Sequence, residues 1–350
     1  MPPPPESNGD WFAPPGTRPW LGLDVGGANL KAADGRGHAV SRPFPLWKQP
    51  ERLAEALNDL VTAADTKGDA AIALTMTGEL ADCYATKSEG VRAIVQAARS
   101  VAASRPVRVA TVDDCWLTVD GALDSPLDAA AANWRLGARL VARVMRDAVW
   151  IDVGSTTTDV IAVTNGAVAS DARTDTDRLL SGELVYTGVG RTPVCAVVRS
   201  LPYRGERCPV MAEWFATTGD AWLLLGAIDE DATDTDTADG RPRTEACARH
   251  RLARCLGADE DSFTRNDALA AARAVVDSQV EMVTQAFATK PGETQRTIVV
   301  TGSGASLGIA AAEAVHRGPP IALSEVLGVA ASAAFPAHAA AVLAEREGAA

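Results

Sequence analysis

Six cysteines are scattered through the 350 residues, at positions 83, 115, 195, 208, 247 and 255, and no C-x-x-C pair occurs among them. Neither a zinc ribbon nor a small disulfide scaffold is therefore expected, and the thiols read as reduced. Cys247, His250 and Cys255 fall on a helical stretch, EACARHRLARCLG, where they read as one buried face rather than a metal site. Positive charge is also short. Lys and Arg number 33 against 45 Asp and Glu, a formal charge of -12, with no long basic run to follow a phosphate backbone. Nucleic acid is excluded as the natural partner. An anionic ligand must be held against this field by backbone N–H groups, a few placed cations or a carboxylate-held divalent cation. No apolar run approaches the roughly 18 residues of a membrane span. The opening MPPPPESNGDWFAPPGTRP lacks the basic start and apolar core of a secretory signal, so residues 1–18 are expected to be a disordered arm and the protein cytoplasmic. The chain also lacks G-x-x-x-x-G-K-[ST]. The last glycine of the Gly302–Gly308 stretch comes one place too late for the dinucleotide fingerprint.

What is present is an α/β pattern that starts twice. WLGLDVGGANLKAADGRGHAV, from Trp20, reads as two short strands joined at Gly26 and Gly27, with a third strand after the GRG turn. A helix over 51–64, a buried strand AAIALTMTG, a helix over 88–103, a strand VRVATVD and an alanine-rich helix over 128–145 follow. At Ala148 the opening recurs: AVWIDVGSTTTDVIAVTNGAVA places Asp152 on Asp24 and Gly154 on Gly26. Two equivalent domains facing a cleft follow from this, 19–146 and 147–350. The second carries a loop-rich insertion at about 170–243, and its last helices are free to pack back on the first. A glycine turn after a buried strand lets backbone N–H groups approach phosphate oxygens, and an Asp at the strand end suits Mg2+ beside them. A third glycine turn at 301–308 adds to the pair.

These turns resemble the actin, sugar kinase and Hsp70 superfamily, with LDVGG as the first phosphate motif, IDVGSTTTD as the second and VVTGSGASLG as the adenosine-side motif. The fold implied is a two-domain actin-like (ribonuclease H-like) ATPase fold with duplicated β-hairpin phosphate motifs. The intervening strings LTMTGELADCYATKSEGV, AAANW, SGELVYTGVGRTPVCA, EWFATTGDAWLLLG and DTDTADGRP resemble the hydantoinase A/oxoprolinase-related family linked to tetrahydromethanopterin-dependent C1 transfer. Its archaeal members include an enzyme of methanofuran biosynthesis, which joins an aminomethylfuran methyl diphosphate to the phenol of γ-glutamyltyramine.

The resemblance implies a cytoplasmic, Mg2+-dependent transferase that releases diphosphate. Its partners would be a phosphorylated furan and a phenolic amine, with no membrane or nucleic acid, and a homodimer stays open. Asp24 and Asp152 would hold Mg2+, and Gly26, Gly27, Gly154, Ser155, Thr156, Gly302, Ser303 and Gly304 would grip phosphates. Lys31 and Lys87 are candidate charge partners of the diphosphate, and Glu79 would bind the substrate ammonium or accept the phenol proton; its alternative is a charge at a helix start. Tyr186, Arg191, Thr217, Asp220 and Arg241 are expected on the substrate side, with exposed surface arginines the alternative for the two cations, and Thr218 is a family-motif position without an assigned role. Asp159 resembles the acidic end of the second motif or pairs across its hairpin. Gly190 departs from the family string, where a basic residue is expected. Two rivals remain at this point: an ATP-dependent small-molecule kinase or oxoprolinase-like ATPase, and a non-catalytic nucleotide-binding protein.

Overall fold

The computed structural model describes residues 8–14, 19–65, 68–288, 296–315 and 318–348. In chain order the elements begin with β1 (Trp20–Val25), β2 (Asn29–Ala33), β3 (Ala39–Pro43), α1 (Leu53–Ala64), β4 (Ala71–Met76) and α2 (Lys87–Ala102). Then come β5 (Val107–Ala110), β6 (Trp116–Leu117), α3 (Val119–Asp124), α4 (Pro126–Ala129), α5 (Asn133–Val144), β7 (Ala148–Val153), β8 (Thr158–Thr164), β9 (Ala167–Val168) and α6 (Asp175–Ser181). The loop-rich stretch holds β10 (Leu184–Val185), α7 (Val194–Val197), β11 (Ser200–Tyr203), β12 (Glu206–Pro209) and α8 (Thr218–Leu224). The chain closes with α9 (Glu245–Arg254), α10 (Arg265–Ala288), β13 (Thr297–Thr301), α11 (Ala305–Val315), β14 (Ile321–Ala322), α12 (Leu323–Leu327), α13 (Val329–Ala333) and α14 (Phe335–Gly348).

Two large sheets form, in strand orders β3-β2-β1-β4-β5-β6 and β10-β8-β7-β13-β14, with β9 on β8, and β11 pairs with β12 in a separate two-stranded sheet. Each of the two large sheets is built outward from a hairpin whose first strand is buried and central, which is the duplicated α/β architecture of the actin-like fold. In the first sheet β1 pairs antiparallel with β2 and parallel with β4, so both its faces must be covered. All six residues of β1 and all six of β4 are accordingly buried. Helices α1 and α2 supply leucine, isoleucine and valine to one core, while α14 runs against β1 and is buried from Phe335 to Glu345.

Compact units do not follow the linear division expected from the repeat. Unit 1 is 1–150, 161–181 and 321–350, and unit 2 is 151–160 and 182–320, so the division passes through β7 and β8. The helix expected over 128–145 is two, because Ala131 takes a left-handed φ of 49° between α4 and α5. Residues 8–14 are not loose: Trp11 is 1% exposed, and buried His338 donates from Nε2 to its carbonyl at 2.8 Å. Proline content argued for disorder there, but one tryptophan packing near Phe335 outweighs it. The rest of the expected arm, 1–7 and 15–18, lies outside the described residues. No helix among the described residues is long and apolar enough to cross a membrane.

Candidate active site

In unit 1 the first turn is closed by one backbone bond, Gly26 N to Asn29 O at 3.0 Å. The amides of Gly27 and Ala28 find no acceptor among the described residues. Asp24 is 6% exposed near the end of β1, in register with Lys31 on β2 and Thr75 on β4, so the three side chains share one face of the sheet. Lys31 does not reach toward the turn, since its Nζ donates to the Ala333 carbonyl at 2.8 Å. Gly78 and Glu79 follow β4 and press against the same turn, where a Cβ on Gly78 would lie 3.0 Å from the Val25 carbonyl.

Glu79 is the unusual group. It is 1% exposed, and neither carboxylate oxygen reaches a hydrogen-bond partner in another residue. Helix α2 holds it there: a Cβ on Gly90 would come 2.1 Å from the Glu79 carbonyl, so only glycine permits the approach. Burial pushes its carboxyl from the ordinary 4.5 up to about 7, with Asp175 and Asp24 adding to the rise and Lys87 opposing it. Lys87 opens α2 and faces Asp175 at 4.0 Å. The Glu79 carboxyl therefore loses its proton near pH 7 rather than near 4.5.

In unit 2 the second turn repeats the first. Gly154 N donates to Thr157 O at 2.9 Å, and the amides of Ser155 and Thr156 have no acceptor among the described residues. Asp152 accepts from the Thr301 hydroxyl at 2.6 Å. The glycine turn at 302–304 lies against the same strand end through Gly304 N to Val153 O at 2.9 Å. A loop at 187–192 clasps the turn: Val189 N donates to Gly154 O at 3.1 Å, and Gly190 N and Arg191 N donate to Ser155 O at 2.9 and 2.8 Å. A Cβ on Gly188 would fall 2.6 Å from the Gly154 carbonyl. At 190, a Cβ would stand 3.3 Å from the Ser155 Cβ, so a basic residue there would lead its side chain past the turn.

Behind the loop lies a buried polar clamp that the sequence reading missed. Gln279, from the middle of α10 and fully buried, donates to the Thr187 hydroxyl and the Gly188 carbonyl, both at 2.8 Å. Its own oxygen accepts from the Trp222 indole at 2.9 Å. Buried Thr158 and Thr218 add donors to the Thr187 and Gly188 carbonyls at 2.7 Å each. Every polar group of the amide is used, which is the condition under which buried polar groups fix one geometry. Asp159 lies opposite Leu184 in the β8–β10 ladder.

The other expected substrate residues divide. Thr217 and Asp220 form a capping box at the start of α8, and Asp220, 4% exposed, accepts from Arg251 Nε at 2.8 Å. Their geometry is that of a helix start and a buried ion pair. Thr218 belongs to the clamp. Tyr186 is 62% exposed, Arg191 reaches Asp236 at 3.4 Å, and Arg241 lies 3.9 Å from Asp239 on the surface. Cys247, His250 and Cys255 gather no metal set; among the described residues no three His, Cys, Asp or Glu side chains do.

A protein-family profile described as Hydantoinase/oxoprolinase matches residues 70–345. The (4-{4-[2-(gamma-L-glutamylamino)ethyl]phenoxymethyl}furan-2-yl)methanamine synthase of Methanocaldococcus jannaschii is 33% identical over 334 residues, 93% of this chain and 98% of its own. The enzyme of the same name from Methanococcus vannielii is 33% identical over 124 residues, 35% of this chain and 55% of its own. Among solved structures, the ethanolamine utilization protein EutJ from Carboxydothermus hydrogenoformans covers 95% of this chain and 92% of its own, at 13% identity and a TM-score of 0.43.

Proposed function

The chain belongs to the hydantoinase/oxoprolinase family, and from that premise we propose that it is a synthase of methanofuran-type cofactor assembly. The reaction joins an aminomethylfuran methyl diphosphate to the phenol of a tyramine- or tyrosine-derived glutamyl compound. The observation that carries this reading is the near-full-length likeness to the archaeal synthase. The glycine turns support it, because a diphosphate leaving group needs the unengaged backbone N–H groups that each unit offers at a strand end.

In bond terms, the furfuryl carbon loses its oxygen bond to diphosphate, which departs with the electron pair. The phenolic oxygen attacks that carbon, and the phenolic proton is released. In unit 1 the amides of Gly27 and Ala28, with Lys87 as a nearby cation, and in unit 2 the amides of Ser155 and Thr156 are the groups proposed to take phosphate oxygens. Glu79 is the group that would take the phenolic proton, since a carboxyl that ionises near neutral pH is matched to general-base work.

Asp24 and Asp152 are the residues that would hold Mg2+. Each carboxylate stands near the end of a central strand of its own unit, and carboxylate oxygens are the hard donors this ion takes. When bound there, the ion would neutralise charge building on the leaving group. The test incubates the protein with Mg2+ and either ATP or a furfuryl diphosphate plus tyramine, tyrosine or their γ-glutamyl derivatives, following products by mass spectrometry. An aryl ether formed without ATP is expected; phosphorylation by ATP with no ether would overturn the reading.

A further inference from the structure

Unit 2 carries a groove of about 510 Å³ lined by Met211, Trp214, Phe215, Asp239, Arg241 and Arg254 among others. Its volume is in the range of small-molecule sites, about 300–1,000 Å³. One wall is apolar, and it includes two of the few large hydrophobic side chains left exposed among the described residues, Met211 at 47% and Trp214 at 57%. The other wall is cationic, in a chain whose net charge is -12. Arg254 has no carboxylate within 4 Å among the described residues; its Nε reaches the His250 ring at 3.4 Å, and Asp259 lies near enough to feel its charge. Arg241 has only a loose contact with Asp239 at 3.9 Å. Asp239 is fixed by Arg251, whose Nη1 donates to it at 3.0 Å.

This groove is tied to the second turn by a short chain of contacts. Arg251, 1% exposed, bridges Asp239 in the groove and Asp220 at the start of α8. The neighbouring Gly219 donates from its amide to the Gly190 carbonyl at 3.2 Å, and Gly190 itself bonds Ser155 of the turn. The start of α8 thus bonds both Arg251 of the groove and the loop that clasps the turn.

We propose that the groove binds the amino-acid tail of the phenolic acceptor. Its carboxylate would meet the Arg241 and Arg254 guanidiniums, its ammonium Asp239, and its aliphatic linker Met211 and Trp214. A guanidinium without a carboxylate within 4 Å, Arg254, and one held only loosely, Arg241, suit a carboxylate, and a fixed aspartate beside them suits the adjacent ammonium. The inference rests on the ether-forming reading for the identity of the ligand. The groove's chemistry, a zwitterionic head on an apolar stem, stands apart from it.

The test measures binding to the full chain by tryptophan fluorescence and calorimetry. The probes are N-(γ-glutamyl)phenethylamine, which lacks the reacting hydroxyl, and phenethylamine, which also lacks the glutamyl group. Arg241 and Arg254 are exposed, so their alanine variants keep the fold. The glutamyl probe should bind at least tenfold more tightly than phenethylamine, and Arg241→Ala and Arg254→Ala should each remove most of that difference. Trp214→Phe should abolish the fluorescence change. In turnover, the arginine variants should raise KM for a glutamyl phenol while leaving KM for the furfuryl diphosphate unchanged. Equal affinity for the two probes, or variants that weaken both equally, would overturn the site. Arginine-dependent binding of the glutamyl probe with no ether formed from any phenol would leave the site standing and sink the ether-forming reading instead.

Discussion

Replacing Glu79 with glutamine separates the burial of this carboxyl from every other acid in the chain. A buried carboxyl displaced from 4.5 to about 7 costs the folded state about 3 kcal/mol once ionised, at about 1.36 kcal/mol per pH unit. The sign follows from proton binding. Between those two values the folded state holds a proton that the unfolded state has lost, so stability is fully present below 4.5 and falls as pH rises through about 7. Glutamine fills the same space without ionising, and its unpaired amide carries a cost that does not change with pH. Urea unfolding of both proteins at pH 5 and pH 8 should therefore show the variant gaining about 2 to 3 kcal/mol on the wild type across that interval. Catalysis should move the other way: kcat falls by about 10² to 10⁴, and the wild-type rise in rate through pH 7 disappears. Stability curves that run parallel with pH would refute the reasoning, because they would mean that Glu79 is not held away from water.

Two further substitutions address the scaffolding. Gly188→Ala puts a methyl 2.6 Å from the Gly154 carbonyl, against a loop held by Gln279, Thr158 and Thr218. Overpacking of this kind costs about 1–3 kcal/mol, and calorimetric titration with inorganic diphosphate should show affinity reduced by about tenfold or more; unchanged affinity would separate the loop from phosphate binding. Asp220→Ala removes both a helix cap and the closer partner of buried Arg251. Loss of one partner from a buried ion pair costs about 3–5 kcal/mol, so a fall in urea stability below about 1 kcal/mol would show that Asp239 alone satisfies Arg251.

The turns were legible because their signal is local. Asp at a strand end, glycine two residues on and the same order again at 148–169 need no distant partner, and both turns close with the same bond. Gln279 was not legible, since its bonds cross 91 and 92 residues from a helix whose sequence shows no sign of them. Asp220 is an intermediate case: Thr217 and Asp220 have capping-box spacing, a simpler account of Asp220 than the substrate role first expected of it. The return of the last helices to the first unit was among the expectations, whereas the division through β7 and β8 was not. Helix α14 lies on β1, more than 300 positions earlier in the chain, and burial against that strand decides where it belongs.

The most direct test of ether formation follows one oxygen atom. A furfuryl diphosphate labelled with 18O at the bridge between carbon and phosphorus is turned over with a glutamyl phenol, and both products are weighed by mass spectrometry. Cleavage at carbon predicts that all the label leaves in diphosphate while the ether keeps the unlabelled phenolic oxygen. Label retained on the furfuryl carbon, with phosphoryl groups moved to the phenol or to water, would contradict the account.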